Sequence, residues 1–191
     1  MLPFPNMIVV IVFIIMGIGY FLMLINIMRT GEGVWGKPSI HPLLFYSGKI
    51  SQFICWGFLL VKSLNPSFLG MEFPLWLRWP GTVILCIGTV VLLLSFYDLG
   101  TSLKYGIPES STQLKTKGLY RYTRHPLYLG VYLLSISSII YFPNFLNILM
   151  GLCTMSTHYM MILAEEKFLA ERFTKEWNDY KRRVPRFLFF H

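Results

Sequence analysis

MIVVIVFIIMGIGYFLMLINIM, residues 7–28, is free of charged side chains from end to end. At about 1.5 Å per residue it makes a helix of ~33 Å, enough to cross a bilayer core of roughly 30 Å. The first basic residue, Arg29, follows the run rather than preceding it, so the segment reads as a retained span and not a cleaved leader. Four more apolar stretches follow. Leu43–Leu64 carries Lys49 and Lys62 near its two ends, where long side chains can reach the interface. Leu75–Tyr97 opens with Trp76, Arg78 and Trp79, an interfacial anchor. Leu127–Phe142 and Phe145–Ala164 flank Pro143-Asn144, a tight turn that makes a helical hairpin. The expected fold is an all-α, multi-pass membrane helical bundle of about five spans, one integral membrane domain over residues 1–191. The fourth stretch gives only ~24 Å of helix, so four spans is the fallback.

Composition agrees. Hydrophobic residues make up 54% and charged residues 14% of the 191 positions, against about 25% charged in soluble domains. An ordinary soluble domain and a disordered chain are both excluded. Cys55, Cys86 and Cys153 are odd in number and sit in apolar runs, so they read as small hydrophobes and not as a disulfide framework. No Cys or His spacing suggests a metal site.

Seventeen Lys and Arg against nine Asp and Glu give a net charge of +8. Fourteen of the 17 basic residues fall in the first loop, the Asp98–Pro126 loop (Lys104 among them) and the tail after Ala164. Five spans put those three regions on one side. The basic excess predicts that side to be cytoplasmic, with the N-terminus outside and the C-terminus in the cytoplasm. Bases along a membrane surface without a binding motif argue against nucleic acid.

The tail has its own pattern. Leu169, Phe173, Trp177, Tyr180 and Val184 recur at spacings of one helix face, and Pro185 ends it. This is an amphipathic helix that either lies on lipid head groups through Lys181-Arg182-Arg183 or folds back as a lid over the polar loop.

Two places could carry chemistry. Residues 114–130 read LKTKGLYRYTRHPLYLG. Gly118 permits a turn, and Pro126 starts the fourth span. Arg124, His125, Tyr120, Tyr122 and Tyr128 gather at that helix mouth, which offers free N–H groups to an anion. Individually they are belt tyrosines and a capping histidine; together they form a polar, aromatic, cationic mouth. The second place is Glu165-Glu166, two carboxylates directly after an apolar run. They are either solvated at the interface or paired with a cation. His158, Met161, Ile162 and Glu165 share a helical stripe that could face His125; His158 itself reads as a buried, hydrogen-bonded residue.

The series Leu114, Gly118-Leu119-Tyr120-Arg121, Arg124-His125-Pro126-Leu127-Tyr128-Leu129-Gly130, Glu165-Glu166, Phe173, Tyr180 and Val184-Pro185, with Leu99-Gly100 before it, resembles the isoprenylcysteine carboxyl methyltransferase and phospholipid methyltransferase superfamily. The resemblance covers about residues 98–186. It implies an S-adenosylmethionine-dependent methyltransferase with a cytoplasmic cofactor site and no Rossmann unit, in agreement with the lack of a Gly-rich strand–turn–helix motif. Carried over by position, Leu114, Tyr120, Arg124, His125, Tyr128, Glu165 and Glu166 bind the cofactor, Glu165 through its ammonium or a ribose hydroxyl. No catalytic residue is assigned. The acceptor would be a hydrophobic small molecule or lipid bearing a carboxylate, thiol or amine. A basic residue that in the isoprenylcysteine enzymes engages the substrate carboxylate aligns here with Met161, which leaves the acceptor open.

A partial resemblance to membrane sterol reductases, through His125-Pro126-Leu127-Tyr128-Leu129-Gly130 and Trp177, Tyr180 and Val184-Pro185-Arg186, implies an NADPH-dependent alternative. Those enzymes are longer, and Glu165-Glu166 favours methyl transfer. A non-enzymatic membrane protein whose basic tail organises lipids or a partner is the third reading.

Overall fold

The computed structural model describes residues 2–29, 36–71, 73–103, 106–107 and 113–188; Lys104 of the basic loop lies outside them. Among the described residues five α-helices follow one another: α1 (Phe4–Arg29), α2 (Pro42–Leu64), α3 (Leu75–Leu99), α4 (Pro126–Tyr141) and α5 (Phe145–Arg183). α2 and α4 each begin at a proline, where the missing N–H costs nothing. Four helices, α1, α2, α3 and α5, are long and apolar enough to cross a membrane. α4 has 16 residues, ~24 Å, so the fourth apolar stretch is a short helix of the bundle. The chain is an all-α, integral membrane helical bundle.

Close approach of α4 to α3 follows from two glycines. A Cβ on Gly88 would lie 2.7 Å from Leu134 and 2.8 Å from Leu133, and one on Gly130 would lie 3.1 Å from the Leu92 backbone. α1 presents Ile11, Ile14, Ile15, Ile18, Phe21 and Leu22 outward, the surface a lipid-facing helix needs.

The two ends of the bundle differ. At one end Lys37 and Ile107 exchange backbone hydrogen bonds of 3.0 and 2.8 Å, which brings the first loop onto the polar loop. At the other end Arg78 Nη1 donates to Asn6 Oδ1 (3.1 Å), and Asn6 Nδ2 donates to the Ser63 carbonyl (2.8 Å). Two expectations are corrected here. Lys62 does not reach for the interface: it is 1% exposed, donates to the Phe68 (3.2 Å) and Met71 carbonyls and lies 4.9 Å from the Phe142 ring centroid. The turn after α2 supplies those carbonyls, so the cation is satisfied inside. Lys49 likewise points inward, to His158. Arg78 is buried, whereas Trp76 and Trp79 are exposed as an anchor requires.

α5 does not stop where its apolar run does. It continues to Arg183 and bends at Thr174, whose φ of 26° lies outside the helical region. Beyond the bend Trp177, Tyr180 and Val184 pack with Leu169, Phe173 and Leu114 of the polar loop. The amphipathic face therefore closes over the loop.

The α4–α5 turn is held by Asn147. Its Nδ2 donates to the Ser138 and Phe142 carbonyls, both at 2.9 Å, and its side chain meets Ser138 Oγ. Three intramembrane bonds at ~0.6–1.7 kcal/mol each make Asn147→Ala about 2 kcal/mol destabilising, a fall in the detergent melting midpoint of roughly 4–8 °C. An unchanged midpoint would show that the turn is held elsewhere.

Candidate functional site

The polar loop is pinned at both ends. Asp98, in the last turn of α3, accepts from the Leu119 backbone N–H at 2.7 Å and so fixes the short helical turn Gly118–Arg121. Gly118 has φ 62°, and a Cβ there would strike the Asp98 carboxylate; glycine alone suits both demands.

Three residues on, the loop is strapped to the tail. The Arg124 N–H donates to the Pro185 carbonyl (2.9 Å), and Thr123 Oγ1 donates to the Arg186 carbonyl (2.7 Å). Arg124 Nη1 donates to the Lys181 (3.1 Å) and Val184 (2.9 Å) carbonyls, satisfying the open C-terminal end of α5. Tyr180 OH donates to the Tyr120 carbonyl at 2.6 Å.

At the centre of the strap sits Glu166. Its Oε1 accepts from Arg124 Nε and from Arg186 Nε, both at 3.1 Å, and lies 3.2 Å from His125 Nε2; its Oε2 accepts from Arg186 Nη2 at 2.7 Å. Burial opposes ionisation, but the His125 and Arg186 hydrogen bonds and the Arg124 charge outweigh it and hold the carboxyl well below its ordinary value. Arg186 is shifted upward, chiefly by its hydrogen bond to Glu166.

Glu165 faces the other way. It accepts from Tyr128 OH. Burial raises its carboxyl above the ordinary value, with His125, the Tyr128 hydrogen bond and Lys49 pulling the other way. Burial and the nearby Glu165 charge push the Tyr120 phenol well up, so it stays neutral. The His125 and Tyr128 rings meet edge-on at 5.8 Å, and Tyr128 meets His158 at the same distance. His158 Nδ1 lies 2.8 Å from the Thr154 carbonyl, which can only accept. The ring proton therefore sits on Nδ1, and Nε2 accepts from Lys49 Nζ at 3.3 Å.

These walls enclose a cavity of about 510 Å³, within the range of ligand sites. Leu114, Tyr120, Arg124, His125, Tyr128 and Glu165 line it; Glu166 is not among the lining residues and stands behind them. Pattern reading gave no place at the site to Lys49, Gln52 and Trp56 of α2, which also line the cavity, nor to Asp98 and Arg186. A cation inside an apolar helix was the available signal for Lys49; Arg186, past the end of a helix, left no periodic trace.

Removing one member of a buried ion cluster leaves its partners uncompensated, at about 3–5 kcal/mol. Glu166→Ala is expected to lower the melting midpoint by roughly 6–20 °C. Because the Glu166 carboxyl is held low, its stabilisation is complete above the ordinary value near 4.3 and disappears as pH falls toward the folded value. Melting followed from pH 7 to 3 should show that loss in the parent chain and a flatter profile in Glu166→Gln. Parallel profiles would contradict the cluster.

Known sequences bear on this geometry. Protein-S-isoprenylcysteine O-methyltransferase from Dictyostelium discoideum is 30% identical over 116 residues, 59% of this chain and 48% of the relative. The chain thus spans about half the length of that relative. The enzyme of the same name from Schizosaccharomyces pombe is 26% identical over 168 residues, 83% of this chain and 68% of the relative. The sequence profile of the phospholipid methyltransferase family matches residues 76–176, just over half the chain, from α3 through the loop and Glu165-Glu166. The chain belongs to the phospholipid methyltransferase family.

Proposed function

We propose that the protein is an integral membrane methyltransferase that uses S-adenosylmethionine and methylates an acceptor with an apolar body. The observation that carries the reading is Glu165: a carboxylate in the wall of a cavity that is aromatic and polar at the loop end and apolar toward the membrane. A cation arriving there would hold Glu165 ionised, which is what the donor's ammonium offers.

Leu114, Tyr120, His125, Tyr128 and Glu165 would hold the cofactor. Tyr120, Tyr128, Trp177 and Tyr180 line the cavity, and an aromatic face attracts a sulfonium by roughly 0.5–2 kcal/mol. Glu166 acts one layer out; Arg124 reaches the cavity wall, but its guanidinium is bonded to Glu166 and to the tail carbonyls, and together the two keep His125 and the tail in place. Bound there, S-adenosylmethionine supplies an activated methyl group. The protein's part is to align the acceptor and exclude water, and the strap of residues 180–186 on residues 120–125 closes the loop end of the cavity. The loop end is cytoplasmic and the N-terminus outside, as the basic residues argue; the region 98–186 serves the cofactor within one membrane domain. The names of the Dictyostelium and Schizosaccharomyces relatives bring an S-prenylated cysteine and an oxygen acceptor to this chain as the leading substrate class. Met161, 1% exposed and packed with Phe45, Tyr128 and Ile162, offers no charge for such a carboxylate.

Incubation of the purified protein in nanodiscs with methyl-labelled donor and a lipid extract should transfer label to an apolar product. Saturable binding of NADPH without donor binding would overturn the proposal. Glu165→Gln should weaken S-adenosylhomocysteine by about 10–100-fold, the value of a charge-assisted hydrogen bond. In the parent chain affinity should fall as pH drops through the raised Glu165 value, since the protonated acid loses the ammonium contact; Glu165→Gln should be flat. Calorimetric titration from pH 8 to 5 reads both, and identical profiles would remove Glu165 from the site.

A further inference from the structure

One face of α2 points into the cavity from outside the segment that the family profile covers. Lys49, Gln52, Phe53, Trp56 and Gly57 all line it, at spacings that put them on one helical stripe. Opposite them α1 contributes Gly17. Among the described residues no atom lies within 4 Å of the position a Cβ would take on Gly17 or on Gly57, and Phe53 is 65% exposed. The cavity therefore extends as an arm between α1 and α2 that opens sideways, toward lipid.

The arm is not uniformly apolar. Lys49 sits at its inner end, beside His158 and within electrostatic reach of Glu165. Gln52 Oε1 and Trp56 Nε1 are buried with no hydrogen-bond partner among the described residues. Orphaned polar atoms are rare in folded proteins and mark places where a further group belongs. From Lys49 to Gly57 the stripe runs ~12 Å.

We propose that this arm is the acceptor subsite: Lys49 anchors an anionic head beside the donor end, Gln52 and Trp56 meet its remaining polar atoms, and the apolar chain lies along Phe53 and Gly57 and leaves between α1 and α2. The inference rests on the methyltransferase reading above and adds the side of the bundle from which the acceptor enters, together with the residues that select it. An anionic head suits the Lys49 ammonium and a protonated amine is repelled by it, so a carboxylate acceptor is favoured over a lipid amine. Lys49 takes the charge-pairing place that Met161 leaves empty.

Binding to the full chain in nanodiscs tests this with three probes: N-acetyl-S-farnesylcysteine, its methyl ester, and the dimethylallyl analogue with a shorter chain. The parent chain should bind the acid more tightly than the ester. Lys49→Met should erase that preference, a change of about tenfold or more in the ratio of dissociation constants. Gly57→Leu should fill the arm and lower the preference for farnesyl over dimethylallyl by about tenfold. Binding of S-adenosylhomocysteine by Gly57→Leu reports that this variant is folded. An acid-over-ester preference that survives Lys49→Met, or a chain-length preference that survives Gly57→Leu, overturns the proposal. Failure of the parent chain to bind S-adenosylhomocysteine would instead strike the methyltransferase reading, with the acceptor ratios still readable.

Discussion

Glu166 is the constraint on which the rest depends. A carboxylate turned inward at the edge of a membrane helix is costly unless its oxygens are satisfied. Here Arg124 from the loop, Arg186 from the segment after α5 and His125 at the start of α4 converge on it. They come from two parts of the chain, the junction of loop and α4 (Arg124-His125) and the segment after α5 (Arg186), so one carboxylate on α5 fixes how three backbone segments meet. A buried cluster of this kind contributes less net stability than its distances suggest. What it provides is uniqueness: another register of loop against tail would leave two guanidinium groups without a counter-ion.

Two adjacent glutamates thereby acquire different chemistry. Glu166 is tied to fixed cations and held ionised; Glu165 is held by a tyrosine hydroxyl in the cavity wall, with its carboxyl shifted the other way. The first is used up by the fold. The second is left facing the cavity, where a cationic ligand would complete its surroundings. By this division one carboxylate of the pair holds the fold together and the other stays open to the cavity.

Much of this was legible beforehand. The uncharged run at 7–28, the Pro143-Asn144 turn and the period of Leu169, Phe173, Trp177, Tyr180 and Val184 foretold an all-α bundle with a patterned tail, because apolar length and helical period are local properties. The cluster of Tyr120, Arg124, His125, Tyr128 and Glu165 was legible for two reasons: cationic and aromatic side chains gathered at a helix start with carboxylates ending an apolar run, and a resemblance in spacing. What stayed hidden was set by three-dimensional placement. Lys49 and Lys62 looked like interfacial lysines; the Phe68 and Met71 carbonyls of the turn after α2 draw Lys62 inward, and the far-off His158 ring draws Lys49. The period of the tail left a surface helix and a lid equally open. The bend at Thr174 and the bond from Tyr180 to the Tyr120 carbonyl decide for closure over the loop, and neither leaves a mark in the sequence.

The central claim is that loop and tail close together around one nucleoside site. Hydrogen exchange of the nanodisc-embedded protein, with and without S-adenosylhomocysteine, tests it most directly. The account predicts that amides of residues 114–125 and of residues 165–184 gain protection together and at the same ligand concentration. Protection of one segment without the other, or of neither, would contradict it.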